Sequence, residues 1–314
     1  MSLLVVYNTC GLSGKEDLLF YEKAINNILK QDLDNVTLAI SSCMNSLECR
    51  KYLIDKFKDR VIFNFIQEKK AVNVTFNHTV KKCVSKYGEY DGYMYVASDV
   101  DVGENSTLLK RLCESFELNK YGMLSARVDK DHGYECWFGT SKLPTDEDFI
   151  VPLGKTCNLH AQIFSNDIYK NFDEKILPDI FTSFCTESVF SFVCAAIKKK
   201  FAISKDVTFS HQYEMDGSCM SYGRGHDMVY PGNPKTIKEI CADPVGIAAG
   251  FGYEEWRSAL IHDSSQFDEN GFSIDNRLKT FIKENLYLKK EILNYDNLDY
   301  CFFKLGDFFE KSKR

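Results

Sequence analysis

Tyr93-Met94-Tyr95-Val96-Ala97-Ser98-Asp99-Val100-Asp101 is an apolar run that ends in two carboxylates one residue apart. Its first five residues have the length and composition of a buried strand. In open α/β sheets, ligands bind beyond the carboxyl ends of the strands. This stretch therefore predicts a central strand that delivers Asp99 and Asp101 to the mouth of a ligand-binding cleft.

Three earlier apolar runs, at 3–7, 36–40 and 61–66, have the same character. Helical spacing of apolar residues separates them, at 18–29, 47–57 and 76–87. Strands that alternate with helices form a mostly parallel, Rossmann-like sheet with helices on both faces. The fold class predicted is therefore α/β, with the loops after residues 7, 40, 66 and 97 converging on one cleft.

The residue pattern of the chain changes near residue 215. Glycines punctuate residues 217–252, which predicts loops, and charged helical patterns return from about 276. We therefore expect a first domain over residues 1–215 and a loop-rich and helical extension over residues 216–314. The extension is predicted to act as a lid over the cleft or to form the side of the cleft where a second substrate, the acceptor, would bind.

Composition excludes several classes of protein. The net charge is −6, which argues against a duplex nucleic acid as partner, because duplex binders carry a basic face. The 12 cysteines are scattered without a C-x-x-C pair, and no signal peptide or apolar run of membrane-spanning length is present. These features predict a cytoplasmic protein with reduced thiols and no transmembrane segment.

The D-x-D pattern at Asp99 and Asp101 points to a hard divalent cation. Mg²⁺ and Mn²⁺ prefer oxygen ligands and usually also bind substrate phosphates. When a nucleoside diphosphate leaves a nucleotide-sugar, such a cation takes up the negative charge that develops.

Five features in order along the chain carry a resemblance to a known family. They are the strand-end Tyr7-Asn8, Asn77 on the helix before the metal motif, the strand ending in Asp99-Val100-Asp101, Glu187 at the start of an apolar helix, and His211 after a late strand. In these features the predicted first domain resembles the GT-A-fold glycosyltransferases, closest to the family 2 type.

The resemblance implies roles for individual residues. The metal, Mn²⁺ or Mg²⁺, is expected on Asp99, Asp101 and His211. Glu187 is the expected catalytic base, with Asp179 as the fallback carboxylate. The residues expected to bind the nucleotide-sugar are Tyr7, Asn8, Thr9, Ser42, Asn77, Ser98 and Asp99. His160 has no partner pattern and is expected to be structural.

The sequence also departs from the family. The usual acidic residue after the second strand, which contacts the nucleotide base, is replaced here by Ser41-Ser42-Cys43, and Glu187 is followed by Ser188 rather than by an acidic residue. The donor is therefore left open between a UDP-sugar and a GDP-sugar. The acceptor is open among a glycan, a lipid-linked glycan and other classes.

The function implied is a metal-dependent transfer of a hexosyl or related group from a nucleotide-sugar. One alternative is a sugar-nucleotide nucleotidyltransferase, although residues 8–15 lack the Gly-rich, Arg/Lys-bearing loop of that class. The other is an inactive GT-A domain that only binds a glycan or a partner.

Overall fold

The computed structural model describes residues 1–10, 15–43, 47–66, 72–129, 146–155, 157, 159–178, 189–211, 267–285, 287 and 300–303. The strands in these ranges are β1 Leu3–Cys10, β2 Val36–Cys43, β3 Ile62–Ile66, β4 Gly92–Ala97, β5 Val100–Asp101, β6 Met123–Val128, β7 Phe149–Ile150, β8 Ala161–Ser165, β9 Phe201–His211 and β10 Tyr300–Phe303. The helices are α1 Lys15–Leu29, α2 Leu47–Phe57, α3 Val72–Tyr87, α4 Leu108–Asn119, α5 Asn166–Asn171, α6 Phe190–Ala196 and α7 Arg277–Asn285.

The strands form one mixed sheet in the order β10-β3-β2-β1-β4-β8-β6-β9-β5, with β7 paired to β9. Strands β3, β2, β1 and β4 run parallel, which confirms the predicted α/β architecture. Beyond them β8 is antiparallel to both β4 and β6, and β6 is parallel to β9. After these two reversals, β6 and β9 run in the same direction as β1 to β4.

The parallel strands are apolar because both of their faces are covered. Residues Leu3 to Tyr7 of β1 are fully buried, as expected for a central strand between helical layers. Aromatic rings fill the space between layers: Phe76 of α3 packs edge-on against Tyr95 and also contacts Phe164.

A row of polar side chains crosses the sheet beneath α3. Asn8, Ser41 and Asn64 are direct neighbours in register on β1, β2 and β3. Thr75 of α3 donates to Asn8 Oδ1 at 3.1 Å, and Asn64 Nδ2 donates to Thr79 Oγ1 at 2.6 Å. Because buried polar groups require partners, these bonds fix where α3 sits on the sheet.

Parts of the predicted C-terminal extension join this same sheet and core. β10 pairs antiparallel with β3 and stands at the end of the strand order. The Tyr287 ring stacks on Phe172 at 4.6 Å between centroids, and its hydroxyl donates to the Ile176 carbonyl at 3.0 Å. The predicted boundary near residue 215 lies outside the described residues.

The cysteine side chains described as free thiols are all buried: Cys49, Cys83, Cys113, Cys157 and Cys194. Within the described ranges, none of the helices is long and apolar enough to cross a membrane.

Buried thiols make the fold sensitive to alkaline pH. Burial raises the pKa of Cys83 and of Cys113 to about 12, and raises the pKa of Cys194 as well. The unfolded chain releases these protons near the ordinary thiol pKa of about 8.5, whereas the folded protein retains them. Stability is therefore full below that pH and falls above it, with a slope that approaches about 1.4 kcal/mol per pH unit for each thiol.

Urea unfolding under reducing conditions at pH 7, 8.5 and 10 measures this loss. Cys194→Ala should make the decline of stability with pH shallower. The stability of the variant at pH 7 serves as its reference, because the effect of the altered packing is already present there. A variant with the same decline as the wild-type protein would show that Cys194 does not contribute.

Candidate functional site

The carboxyl ends of the parallel strands meet at one edge of the sheet. Asn8 near the end of β1 lies beside Ala97 at the end of β4. Asp129, which follows β6, and His211, which ends β9, come to the same edge because β6 and β9 run in the same direction as β4. This is the position at which the sequence predicts a ligand cleft.

Asp99 and His211 form the polar centre of this edge. His211 Nε2 lies 3.3 Å from Asp99 Oδ2, and Val100, the next residue, pairs with His211 between β5 and β9. Asp99 Oδ1 is buried and accepts no hydrogen bond from the described residues. A buried carboxylate oxygen without a donor is costly, so this atom is suited to a cation or another ligand.

Two further residues support His211. Its backbone N–H donates to Asp129 Oδ1 at 2.6 Å, and the His160 ring lies against its imidazole at 4.5 Å between centroids. The His160 carbonyl accepts from the Ala97 N–H at 2.7 Å, which holds it beside the end of β4. His160, expected to be structural, thus lies against the imidazole of this candidate site.

Sequence reasoning missed both supports for different reasons. Asp129 follows a strand at its carboxyl end, so the same rule that selected Asp99 would have found it. His160 precedes β8, and it reaches this edge only because β8 is antiparallel to β4. The periodicity of the sequence does not reveal strand direction.

Asp101, the third predicted metal ligand, faces a different set of partners. Its Oδ1 accepts from Asn27 Nδ2 at 2.8 Å and from the Gly103 N–H at 2.9 Å, and its Oδ2 lies 3.3 Å from Lys23 Nζ. Over the part of the chain that the structure describes, no group of three or more His, Cys, Asp or Glu side chains is placed to hold one metal ion. Asp99 and His211 are brought together, and Asp101 is not grouped with them.

Tyr7 acts on this site through the backbone. Its side chain is fully buried, and its hydroxyl donates to the Ser98 carbonyl at 2.8 Å. Burial raises the pKa of Tyr7 well above its usual value, and neighbouring Tyr21, Asp99 and Asp101 raise it further. The phenol therefore keeps its proton and holds the peptide next to Asp99.

The residues predicted to contact a nucleotide-sugar differ in exposure. Ser98 and Asp99 are partly exposed, whereas Asn8, Thr9 and Ser42 are buried. Asn8 accepts from Thr75, and Thr9 Oγ1 donates to the Ser41 carbonyl at 3.3 Å. The accessible part of the predicted donor site is therefore the turn at residues 98–99.

Asn77 is buried, and its side chain hydrogen-bonds the backbone just before the predicted catalytic residues. Its Nδ2 donates to the Leu177 carbonyl at 2.7 Å, and its Oδ1 accepts from the Ile176 and Leu177 N–H groups at 3.1 and 3.0 Å. Asn73 Nδ2 donates to the Pro178 carbonyl at 2.8 Å. Helix α3 thus fixes the residues up to Pro178. The predicted catalytic residues Asp179 and Glu187 lie outside the described residues.

No family model matches this sequence, and no curated protein matches it. Solved structures do match its fold. One is the mannosyltransferase PcManGT from Pyrobaculum calidifontis in complex with GDP-Man and Mn²⁺. Its TM-score is 0.53 at 9% identity, with 90% of this chain and 86% of that chain covered. Another is S. aureus TarS 1-349 in complex with UDP-GlcNAc. Its TM-score is 0.52 at 12% identity, with 82% of this chain and 78% of that chain covered. At such low identity the likeness shows the fold: this chain has the α/β fold of proteins solved with bound nucleotide-sugars.

Removing the Tyr7 hydroxyl tests whether it holds the turn beside Asp99. Tyr7→Phe leaves the Ser98 carbonyl without this donor, which should lower the free energy of unfolding by about 1–3 kcal/mol. Tyr169→Phe is the matched control, because Tyr169 is buried against Tyr93 and its hydroxyl bonds to no described residue. Urea unfolding compares the two variants. Equal stabilities would show that the Tyr7 hydroxyl contributes no net bond.

Proposed function

We propose that this protein is a metal-dependent glycosyltransferase that moves a hexosyl or related group from a nucleotide-sugar to an acceptor. The observation that carries the proposal is the Asp99–His211 pair at the carboxyl edge of the sheet, with one buried carboxylate oxygen left without a donor. The fold shared with proteins solved with GDP-Man and UDP-GlcNAc supports it.

The residues at the edge fit a divalent cation, Mn²⁺ or Mg²⁺. Such ions are commonly bound by one or two carboxylates together with the phosphates of the substrate, and neutral imidazole is a frequent metal ligand. Asp99 and His211 would hold the ion, Asp129 would hold the His211 backbone, and His160 would pack against the imidazole. When bound, the cation would neutralise the charge that develops on the departing nucleoside diphosphate.

We propose a UDP-sugar or a GDP-sugar as donor. TarS 1-349 was solved with UDP-GlcNAc and PcManGT with GDP-Man, which makes both classes reasonable probes. Ser42 stands near the end of β2 where the family has an acidic residue for the base, so contacts of another kind would select uracil or guanine. A glycan, a lipid-linked glycan or another hydroxyl-bearing molecule would be the acceptor.

The acceptor proton would be taken by Glu187, with Asp179 as the fallback. Asn73 and Asn77 bear on the fallback residue only, because they fix the backbone through Pro178, one residue before Asp179. A base must lie within hydrogen-bonding reach of the hydroxyl that it deprotonates. By holding the backbone that leads to Asp179, helix α3 would help to keep that carboxylate within such reach.

Donor binding tests the metal proposal. UDP-GlcNAc or GDP-mannose should raise the melting temperature of the wild-type protein in the presence of Mn²⁺ and not in EDTA, because a ligand of the folded state stabilises it by mass action. Asp99→Asn should abolish the shift. Asp206→Asn, which changes an exposed carboxylate paired with Arg111, should retain it. A Mn²⁺-dependent shift that survives in Asp99→Asn would remove Asp99 from the metal site.

Turnover tests the base. Glu187→Gln keeps the size of the side chain and removes its basicity, so turnover should fall by about a hundred- to ten-thousand-fold while donor affinity stays near that of the wild-type protein. The two quantities should be measured separately, because a loss of both would indicate misfolding or a role in donor binding. Unchanged turnover would transfer the role to Asp179, which Asp179→Asn would then test.

A further inference from the structure

Both oxygens of the Asp101 carboxylate are engaged inside the protein. Oδ1 accepts two hydrogen bonds, from Asn27 Nδ2 and the Gly103 N–H, and Oδ2 lies within ion-pair distance of Lys23 Nζ. Asp101 is only 2% exposed, and Asn27 is buried as well. The partners of this carboxylate thus come from α1 and from the turn after β5.

Asp99, two residues earlier, has the opposite surroundings. Its side chain is 16% exposed, it lies beside His211, and its Oδ1 accepts nothing from the described residues. In a continuous strand, residues i and i+2 share a face. Here Ser98 and Asp99 form a turn between β4 and β5, so the alternation is broken and the two carboxylates point to different partners.

The turn that follows α1 holds the chain after Asp101 at further points. Gln31 Nε2 donates to the Asn105 carbonyl at 3.1 Å, its Oε1 accepts from the Leu109 N–H at 2.9 Å, and the Asp32 N–H donates to the Ser106 carbonyl at 2.7 Å. Gly103 has φ +84°, which favours glycine and lets its N–H turn back to Asp101. Of these contacts, those of Asp101 are the nearest to Asp99 along the chain.

From these contacts we infer that Asp101 is a positioning residue that ties β5 to α1, and that Asp99 is the only carboxylate of the D-x-D pair that ligates the metal. The inference rests on the proposed metal-dependent function. To ligate through Oδ1, Asp101 would have to abandon the buried Asn27 amide and the Gly103 N–H, and at Oδ2 an incoming cation would meet the Lys23 ammonium. Breaking buried, charge-assisted hydrogen bonds carries a large penalty.

The inference assigns Asp101 a specific effect on the metal site. By fixing Val100 and Asp101 against α1, it holds the backbone that pairs with Ser210 and His211. That pairing sets the approach of Asp99 to His211. Loss of the anchor should loosen this geometry without removing a ligand.

Four variants of the 314-residue chain distinguish an anchoring role of Asp101 from a ligating one. Asp101→Asn and Asp99→Asn are isosteric changes of the two carboxylates. Lys23→Met and Asn27→Ala remove partners of Asp101 and leave both carboxylates in place. Mn²⁺ affinity is measured by calorimetry in the presence of UDP and, separately, of GDP, and stability is measured by thermal unfolding without metal.

An anchor predicts that Asp101→Asn weakens Mn²⁺ binding by about 10-fold, as changes outside the ligand shell do, and Asp99→Asn by more than about 100-fold. Asn27→Ala should reproduce the effect of Asp101→Asn. Lys23→Met should leave Mn²⁺ affinity unchanged or slightly weaker. Asp101→Asn should also lower the melting temperature by several degrees, whereas Asp99→Asn should not.

The opposite pattern would overturn the inference. A ligating Asp101 predicts that Asp101→Asn abolishes Mn²⁺ binding as completely as Asp99→Asn, with an unchanged melting temperature. It also predicts that Lys23→Met strengthens Mn²⁺ binding, because a competing cation is removed.

Failure of the proposed function gives a different result. In that case the wild-type protein binds Mn²⁺ with neither nucleotide. The stability measurements then test whether Asp101 anchors β5 to α1. That role is refuted if Asp101→Asn is as stable as Asp99→Asn.

Discussion

The hydrogen bond from Asn27 to Asp101 joins the first helix to the short strand that follows Asp99, and the geometry of the candidate site depends on it. Asp101 is buried, accepts from a side chain and a backbone N–H, and lies beside Lys23. With β5 held in this way, Val100 pairs with His211, and the Asp99 carboxylate meets the imidazole. Tyr7 secures the other side of the same turn through the Ser98 carbonyl.

The site therefore consists of a few accessible groups whose positions are fixed by hydrogen bonds among the surrounding polar side chains. Most polar side chains near the edge bind protein partners: Asn8 binds Thr75, Asn77 binds the backbone of 176–177, and Asp129 binds the His211 N–H. Asp99 keeps one oxygen without a donor among the described residues. Such preorganisation is what a metal site needs, because ligands must be held in place before the ion arrives.

Local pattern predicted much of the fold and part of the site. The apolar runs at 3–7, 36–40 and 93–97 lie within β1, β2 and β4. The rule for parallel sheets predicted Asp99 at the carboxyl edge, whereas His211 was expected there only from the family resemblance. Partners distant in sequence were not predictable. Asn27 and Asp101 are separated by 74 residues, and nothing in the D-x-D pattern distinguishes its two carboxylates. The antiparallel direction of β8, which brings in His160, and the pairing of β10 with β3 are likewise properties of the assembled sheet.

The most direct measurement is the release of nucleoside diphosphate from UDP-sugars and GDP-sugars by the wild-type protein, with water taking the glycosyl group. Metal-dependent glycosyl transfer predicts that UDP or GDP appears in the presence of Mn²⁺, that EDTA stops its release, and that added Mn²⁺ restores it. Asp99→Asn should release none under the same conditions. Release at an equal rate in EDTA, or by Asp99→Asn, would contradict the proposed role of Asp99 as a metal ligand. Production of pyrophosphate from a nucleoside triphosphate and a sugar phosphate would instead identify a nucleotidyltransferase.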